Sequence, residues 1–216
     1  MSPPDSNLDD LRRELEALRE TVAAQDRQFR KLTHRLKNNL QLVISIISLR
    51  LGAVPDAARR AELEDVLSKI HAVALVQRKL HDGGMPLALS FDEYLAELTA
   101  NLPRPASGEA PEIVLDTQPV TIGIDRAVPL GLIANELVTF AMAPDGAAPL
   151  HVSLTPNSTA ITLTVARAGL HLPDEPGRHD YGLPLVRALV RQIQGELIRD
   201  GDTVRLTFAP EPPAGS

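Results

Sequence analysis

His34, Arg35, Lys37 and Asn38 fall within one short stretch, His34-Arg35-Leu36-Lys37-Asn38-Asn39-Leu40-Gln41, and their types suit phosphoryl chemistry. An exposed imidazole is largely neutral near pH 7 and carries a nucleophilic nitrogen lone pair. Cations at Arg35 and Lys37 would attract a phosphoryl oxyanion. On a helix, positions three and four apart share a face, which puts Lys37, Asn38 and Gln41 along the ridge of His34, with Arg35 flanking it. The chemistry such a set supports is a transient phosphohistidine. A lone surface histidine usually just fills a solvent-facing helix position, so the pattern around His34 has to carry the functional reading.

The element that must hold this set is a long helix. Apolar residues alternate at spacings of three and four at Leu8, Leu11, Leu15, Leu18, Val22, Phe29, Leu32, Leu36, Val43 and Ile46, broken only by Gln25 and Asn39. The column farthest from that seam holds Arg13, Glu20, Arg27, His34 and Gln41, all polar, so His34 belongs to the solvated ridge. Asp5 or Ser6 can cap this helix, and Gly52 and Pro55 stop it near Leu51. Asp56 opens a second helix with an apolar stripe at Leu63, Val66, Leu67, Ile70, Val73, Ala74 and Leu80, ending at Gly83-Gly84. Two amphipathic helices leave apolar surface that one copy cannot cover. Two hairpins are therefore expected to pair into a four-helix bundle, making the protein a homodimer.

Beyond Pro86 the pattern changes. Ser90 with Glu93 three residues on reads as a capping box for a short helix ending near Leu102, followed by a Pro-rich loop. Residues 112–118 and 121–124 read as strands, and Asp125 begins a helix through Leu130, Ile133, Leu137 and Val138. Two alternating strands follow, with Leu150, Val152 and Leu154, then Ile161, Leu163 and Val165, on the covered face. A helix from about Tyr181 to Gln194 precedes two strands joined at Asp200-Gly201. The fold class is thus α+β: an N-terminal helical hairpin followed by an α/β sandwich with a partly antiparallel sheet.

Composition narrows the function. The 216 residues, 44% of them hydrophobic, suffice for a core, while 3% aromatics and no Trp leave few platforms for stacking bases. A formal charge of -6 argues against nucleic acid as partner. The absence of cysteine excludes disulfides and thiol chemistry. No apolar run approaches the roughly 20 residues that span a bilayer, and no basic-then-apolar leader opens the chain, so a cytoplasmic protein without membrane contact is expected. His151, His171 and His179 show no metal-ligand spacing, and no bound metal is expected. His71, beside the apolar stripe, and His81, at the end of the second helix, read as structural.

The run H-R-L-K-N-N-L-Q-L-V-I-S-I-I-S-L from His34 resembles the phosphoacceptor helix of the bacterial sensor histidine kinase subfamily whose motif reads H-R-x-K-N-N-L-Q. The stretch from Lys69 to His81 is similar to that subfamily's A-x-V-H-x-x-L region, with Gln77 at its histidine position. The run Val128-Pro129-Leu130-Gly131-Leu132-Ile133-Ala134-Asn135-Glu136-Leu137-Val138-Thr139 is similar to the start of the family's asparagine box, and the resemblance covers roughly residues 28–210. It implies that His34 is the phosphorylated residue and that Asn38 is the helical-turn neighbour tied to the family's phosphatase activity. It also implies four segments: 1–27, an N-terminal tail and coiled-coil extension; 28–85, the dimerising phosphotransfer hairpin; 86–210, an ATPase-like α/β domain; and 211–216, a tail.

The nucleotide-binding positions depart from the family at three places. The asparagine that carries Mg²⁺ is Phe140, and the lysine and histidine of that box are Ala143 and Pro144. A hydrocarbon ring cannot coordinate a cation that demands oxygen ligands. The adenine-recognising aspartate is Arg167, which cannot accept adenine's amino hydrogen. Tyr181-Gly182-Leu183-Pro184 replaces the glycine segment, with Pro184 lacking an N–H donor. Asn135 and Glu136 are retained and either brace the helix or serve a nucleotide.

The α/β half therefore reads as a degenerate histidine-kinase ATPase-like sandwich, similar to the ChpT-type relay architecture. The leading expectation is a histidine phosphotransfer protein that relays phosphoryl groups between response-regulator receiver domains without ATP. It uses no cofactor of its own, Mg²⁺ belonging to the receiver, and a sensor kinase is a further possible partner. The alternatives are an autophosphorylating kinase and a non-catalytic adaptor that binds a receiver.

Overall fold

The computed structural model describes residues 5–82, 88–101, 111–142, 147–170, 172 and 182–210, with the side chains of 5–9, 26, 30, 81 and 82 excepted. The expected Gly83-Gly84 stop, the Pro-rich loop, Ala143, Pro144, His171, His179, Tyr181, the C-terminal tail and the side chain of His81 lie outside the described residues. The chain divides into two compact units, Met1–Val43 and Ile44–Ser216.

Helix α1 spans Asp5–Leu51, the length expected from its seam. Taken alone, residues 10–43 form a single amphipathic helix whose apolar seam lies open: Leu15, Leu32 and Leu36 are all exposed. The outward column is exposed too, at Arg13, Glu20, Arg27, His34 and Gln41.

In the second unit, Asp56 caps helix α2 (Ala57–Asp82), its carboxylate accepting from the Arg59 N–H at 2.8 Å. A short strand β1 (Ala88–Ser90) pairs antiparallel with β3 (Thr121–Gly123), placing Leu89 opposite Ile122. Strand β1 has only three residues, too few for an alternation to show in the sequence. Helix α3 runs Phe91–Ala100 and helix α4 Ile124–Met142. The expected capping box does not form. The Ser90 hydroxyl donates to Asp92 at 3.0 Å, and Glu93 reaches Lys79 on α2 instead. Both side chains of the expected box have other partners.

The main sheet has the order β2-β4-β5-β7-β6, built from Ile113–Thr117, Leu150–Pro156, Ile161–Ala166, Thr203–Phe208 and Glu196–Asp200. Strand β2 lies parallel to β4 and every other pair is antiparallel. The alternation expected on β4 and β5 is present, with Leu150, Val152, Leu154, Ile161, Leu163 and Val165 buried. These side chains join Leu130, Ile133, Ala134 and Leu137 of α4 and Val186 and Val190 of α5 (Gly182–Gln192) in one aliphatic core. Strands β6 and β7 are joined by Gly201-Asp202, with Gly201 at φ 57°, the Gly-first pattern of a type II′ turn.

Helix α2 packs on α3 and α4 as part of this unit. Gly131 allows the close approach: a Cβ there would lie 2.6 Å from a Val76 methyl and 3.0 Å from the Tyr94 hydroxyl. That hydroxyl, buried and pushed to a higher pKa by desolvation, donates to the Gly131 carbonyl at 3.0 Å. Lys79 lies 3.2 Å from Glu93 and 3.4 Å from Glu97, and Arg78 also pairs with Glu97.

Candidate functional site: an exposed histidine and a buried polar cluster

The sequence-derived set lies on α1 within the first unit. His34, Arg35, Lys37 and Asn38 are all exposed. The helix brings His34 and Asn38 together, with Asn38 Nδ2 3.3 Å from His34 Nδ1. Arg35 and Lys37 stand exposed on the same two turns, where their charges reach any anion approaching the ridge. His71 on α2 and His151 on β4 are exposed as well. Among the described residues no group of three His, Cys, Asp or Glu side chains could hold a metal ion. No helix among them is long and apolar enough to cross a membrane.

The second unit buries a polar cluster where sequence resemblance puts nucleotide contacts. Glu136, 3% exposed, takes an ion pair from Lys69 of α2 at 3.1 Å and a hydrogen bond from the Asn135 amide at 3.3 Å. Lys69 also pairs with Asp65, one turn earlier. The Ser68 hydroxyl donates to Asn135 Oδ1 at 3.1 Å. Of the two readings left open for Asn135 and Glu136, the bracing one describes these contacts: they join α4 to α2. Glu136 and Phe140 also press on the first residue of α5, since a Cβ at Gly182 would lie 2.5 Å from Glu136 Oε2 and 3.1 Å from the Phe140 ring.

Arg167 is 3% exposed and is put to structural use. Its Nη1 donates to the Ala141 carbonyl at 2.8 Å and its Nε to the Ala148 carbonyl at 3.1 Å, tying the end of α4 to the approach to β4. The same residue's N–H donates to Asp202 and its carbonyl accepts from Leu170. Arg167→Ala is expected to cost about 2 kcal/mol in urea denaturation, because two carbonyls lose charge-assisted donors and only Ala148, half-buried, is placed to recover water.

Sequence reasoning singled out Asn135, Glu136, Phe140 and Arg167 but not Ser68 and Lys69, which engage the first two. The available signal was a lysine and a serine set among Leu67, Ile70 and Val73, with Asp65 four residues before the lysine.

Comparison with known proteins adds the family context. Residues 32–105 match the histidine kinase family HisKA_2. Blue-light-activated histidine kinase 2 of Erythrobacter litoralis is 21% identical over 185 residues, which are 80% of this chain and 53% of that protein. The chain thus spans about half the length of this curated relative. The solved histidine kinase domain of the Erythrobacter litoralis EL346 blue-light activated histidine kinase superposes with a TM-score of 0.58 at 20% identity, covering 86% of this chain and 91% of that one. A larger structure of the EL346 kinase gives 0.59 at 21% identity, covering 84% and 62%. The likeness to the solved structures is one of fold. The match to the histidine kinase family covers residues 32–105, and the solved histidine kinase domain shares the chain's fold.

Proposed function

We propose that the protein is a histidine phosphotransfer protein that accepts a phosphoryl group from a response-regulator receiver onto His34 and passes it to another receiver without using ATP. In the loading transfer an imidazole lone pair forms the N–P bond, the P–O bond to the receiver aspartate breaks, and the carboxylate leaves; in the unloading transfer a second receiver's carboxylate forms the P–O bond and the N–P bond breaks, freeing the imidazole. Mg²⁺ rides on the receiver. Exposure of His34 on a helix ridge suits its attack on an external phosphoryl group, and Arg35 and Lys37 supply nearby positive charge.

The observation that carries the ATP-independent reading is Arg167. At the position the resemblance gives to the adenine-recognising aspartate stands a buried guanidinium bonded to two main-chain carbonyls. Engagement of Glu136 and Asn135 by Lys69 and Ser68 supports the same reading. The open seam of α1 supports pairing of two copies, as a homodimeric four-helix bundle built from two hairpins. The α/β half then serves as a folding support and a docking surface for receivers or a sensor kinase.

A second reading, an autophosphorylating sensor-type kinase, is favoured by the family match and by the relative's name. One pair of incubations separates the two: the chain with labelled ATP and Mg²⁺, and the chain with a phosphorylated receiver. Label is expected from the receiver alone. Label on His34 from ATP overturns the relay in favour of the kinase; tight receiver binding with no transfer in either direction makes the protein an adaptor.

A further inference from the structure

We propose that Arg27 and Lys31 extend the positive charge beside His34 into a basic docking surface for an acidic face of the receiver domain; that the partner is a receiver rests on the relay reading above. The stretch from Arg27 to Lys37 holds five cations and no carboxylate, and no acid follows until Asp56. Arg27, Lys31, Arg35 and Lys37 are all exposed. The positions three and four residues from each of them hold no acid, so no pairing along the helix cancels their charge. Arg27 shares the outward column of His34, and Lys31 and Lys37 lie three residues to either side of it, so cations precede and follow the imidazole along one ridge.

The rest of the chain carries charge of the opposite sign. Residues 5–26 of the same helix hold seven carboxylates against three cations, and the whole chain has a formal charge of -6. A negatively charged partner is repelled by the first part of α1 and attracted by the second, which fixes where along the helix it lands. The patch is short, since ten helical steps rise about 15 Å. That length suits the compact acidic face of a folded protein. A nucleic acid duplex laid along α1 would run over the acidic segment, and a flat anionic membrane would meet that segment as well. A second copy of this chain brings an acidic segment of its own, but pairing along the apolar seam leaves the outward column, on the opposite side of the helix, uncovered.

The test follows association of the full chain with receiver domains from the same genome, each purified singly and unphosphorylated, by stopped flow over a range of salt. NMR of the ¹⁵N-labelled chain maps the contact, and label reaching His34 from the phosphorylated receivers is measured in parallel. At least one receiver is expected to perturb residues 27–37, with an association rate that falls as salt rises. Arg27→Glu/Lys31→Glu should lower that rate about tenfold or more and flatten its salt dependence, with little change in the dissociation rate. Arg27→Lys/Lys31→Arg keeps both charges and should retain the wild-type rate. All these residues are good helix formers, so helical content should not move. Equal association by the wild type and the charge-reversed variant, or no receiver bound at these residues, overturns the proposal. So does tighter binding there of a DNA duplex or of phosphatidylglycerol vesicles, or a charge-reversed variant whose main change is weaker self-association in sedimentation. Label on His34 that the charge reversal does not slow leaves the relay standing and removes the docking surface. Salt-dependent, variant-sensitive binding with no label on His34 sinks the relay and leaves the docking surface in place.

Discussion

Replacing His34 by alanine is expected to take receiver-dependent labelling to background, a loss of about a thousandfold or more, as befits removal of the nucleophile itself. The label in the wild type should be acid-labile and base-stable, the behaviour of a phosphoramidate and not of an acyl phosphate on a contaminating receiver. The fold should not change. His34 is exposed on a helix, and alanine is the better helix former, so the urea midpoint and helical content of the variant should match those of the wild type. His71 and His151 are also exposed, so the variant doubles as an assignment. Label persisting in His34→Ala would place the chemistry on another of the chain's six histidines, and the seam-and-ridge geometry of α1 would then be only architectural.

That geometry was legible because a helix converts spacing into position. Ten apolar residues at spacings of three and four predict which column faces outward; Arg13, Glu20, Arg27, His34 and Gln41 are exposed, but so is the seam, so the assignment of the outward face rests on the spacing. The strands β4 and β5 were readable for the parallel reason, a period of two with one face covered. Strand β1 was not, since Leu89 is its single inward residue and a run of three carries no period. The capping box at Ser90 does not form: the Ser90 hydroxyl donates to Asp92, and Glu93 pairs with Lys79, supplied by a different helix. Local pattern cannot rank a cap against a charge that folding brings in from α2.

The polar cluster shows the same limit more sharply. From sequence, Arg167 reads as an aspartate lost, because the resemblance compares it with a role it cannot fill. In the fold it is a buried guanidinium with two carbonyl acceptors, Ala141 and Ala148, whose positions depend on where α4 ends and β4 begins. Asn135 and Glu136 were equally ambiguous, since a bracing pair and a ligand-binding pair use identical residues. What supports the bracing reading is Lys69 and Ser68, sixty-seven residues before them in the chain and in contact only once α2 lies on α4.

Lys69→Met gives that contact its energetic test. Burial is the largest influence on the Glu136 carboxyl and raises its pKa above the ordinary 4.5, against the charge and hydrogen bond of Lys69, which lower it; Asp65 adds to the rise and Asn135 opposes it. The folded state therefore holds this proton more tightly than the unfolded chain. Stability contributed by Glu136 is fully present below pH 4.5 and declines as pH rises through the raised value. Methionine keeps most of the lysine's bulk but removes the cation that favours the ionised carboxylate, so the pKa climbs further and the pH window widens. Near neutral pH the variant must either bury an unpaired carboxylate or protonate it, a loss of about 3 kcal/mol. Each unit of acidification should return about 1.4 kcal/mol of that loss until the wild-type carboxyl, itself raised, begins to protonate as well. Urea denaturation at several pH values measures both the size and the slope. The double variant Lys69→Met/Glu136→Leu removes both charges together and is expected to lie within about 1 kcal/mol of the wild type near neutral pH, because two apolar side chains can replace a buried pair where one cannot. A single variant whose loss does not vary with pH would show that the ion pair is not what joins α2 to α4. A double variant as unstable as the single would instead assign the loss to packing around position 69.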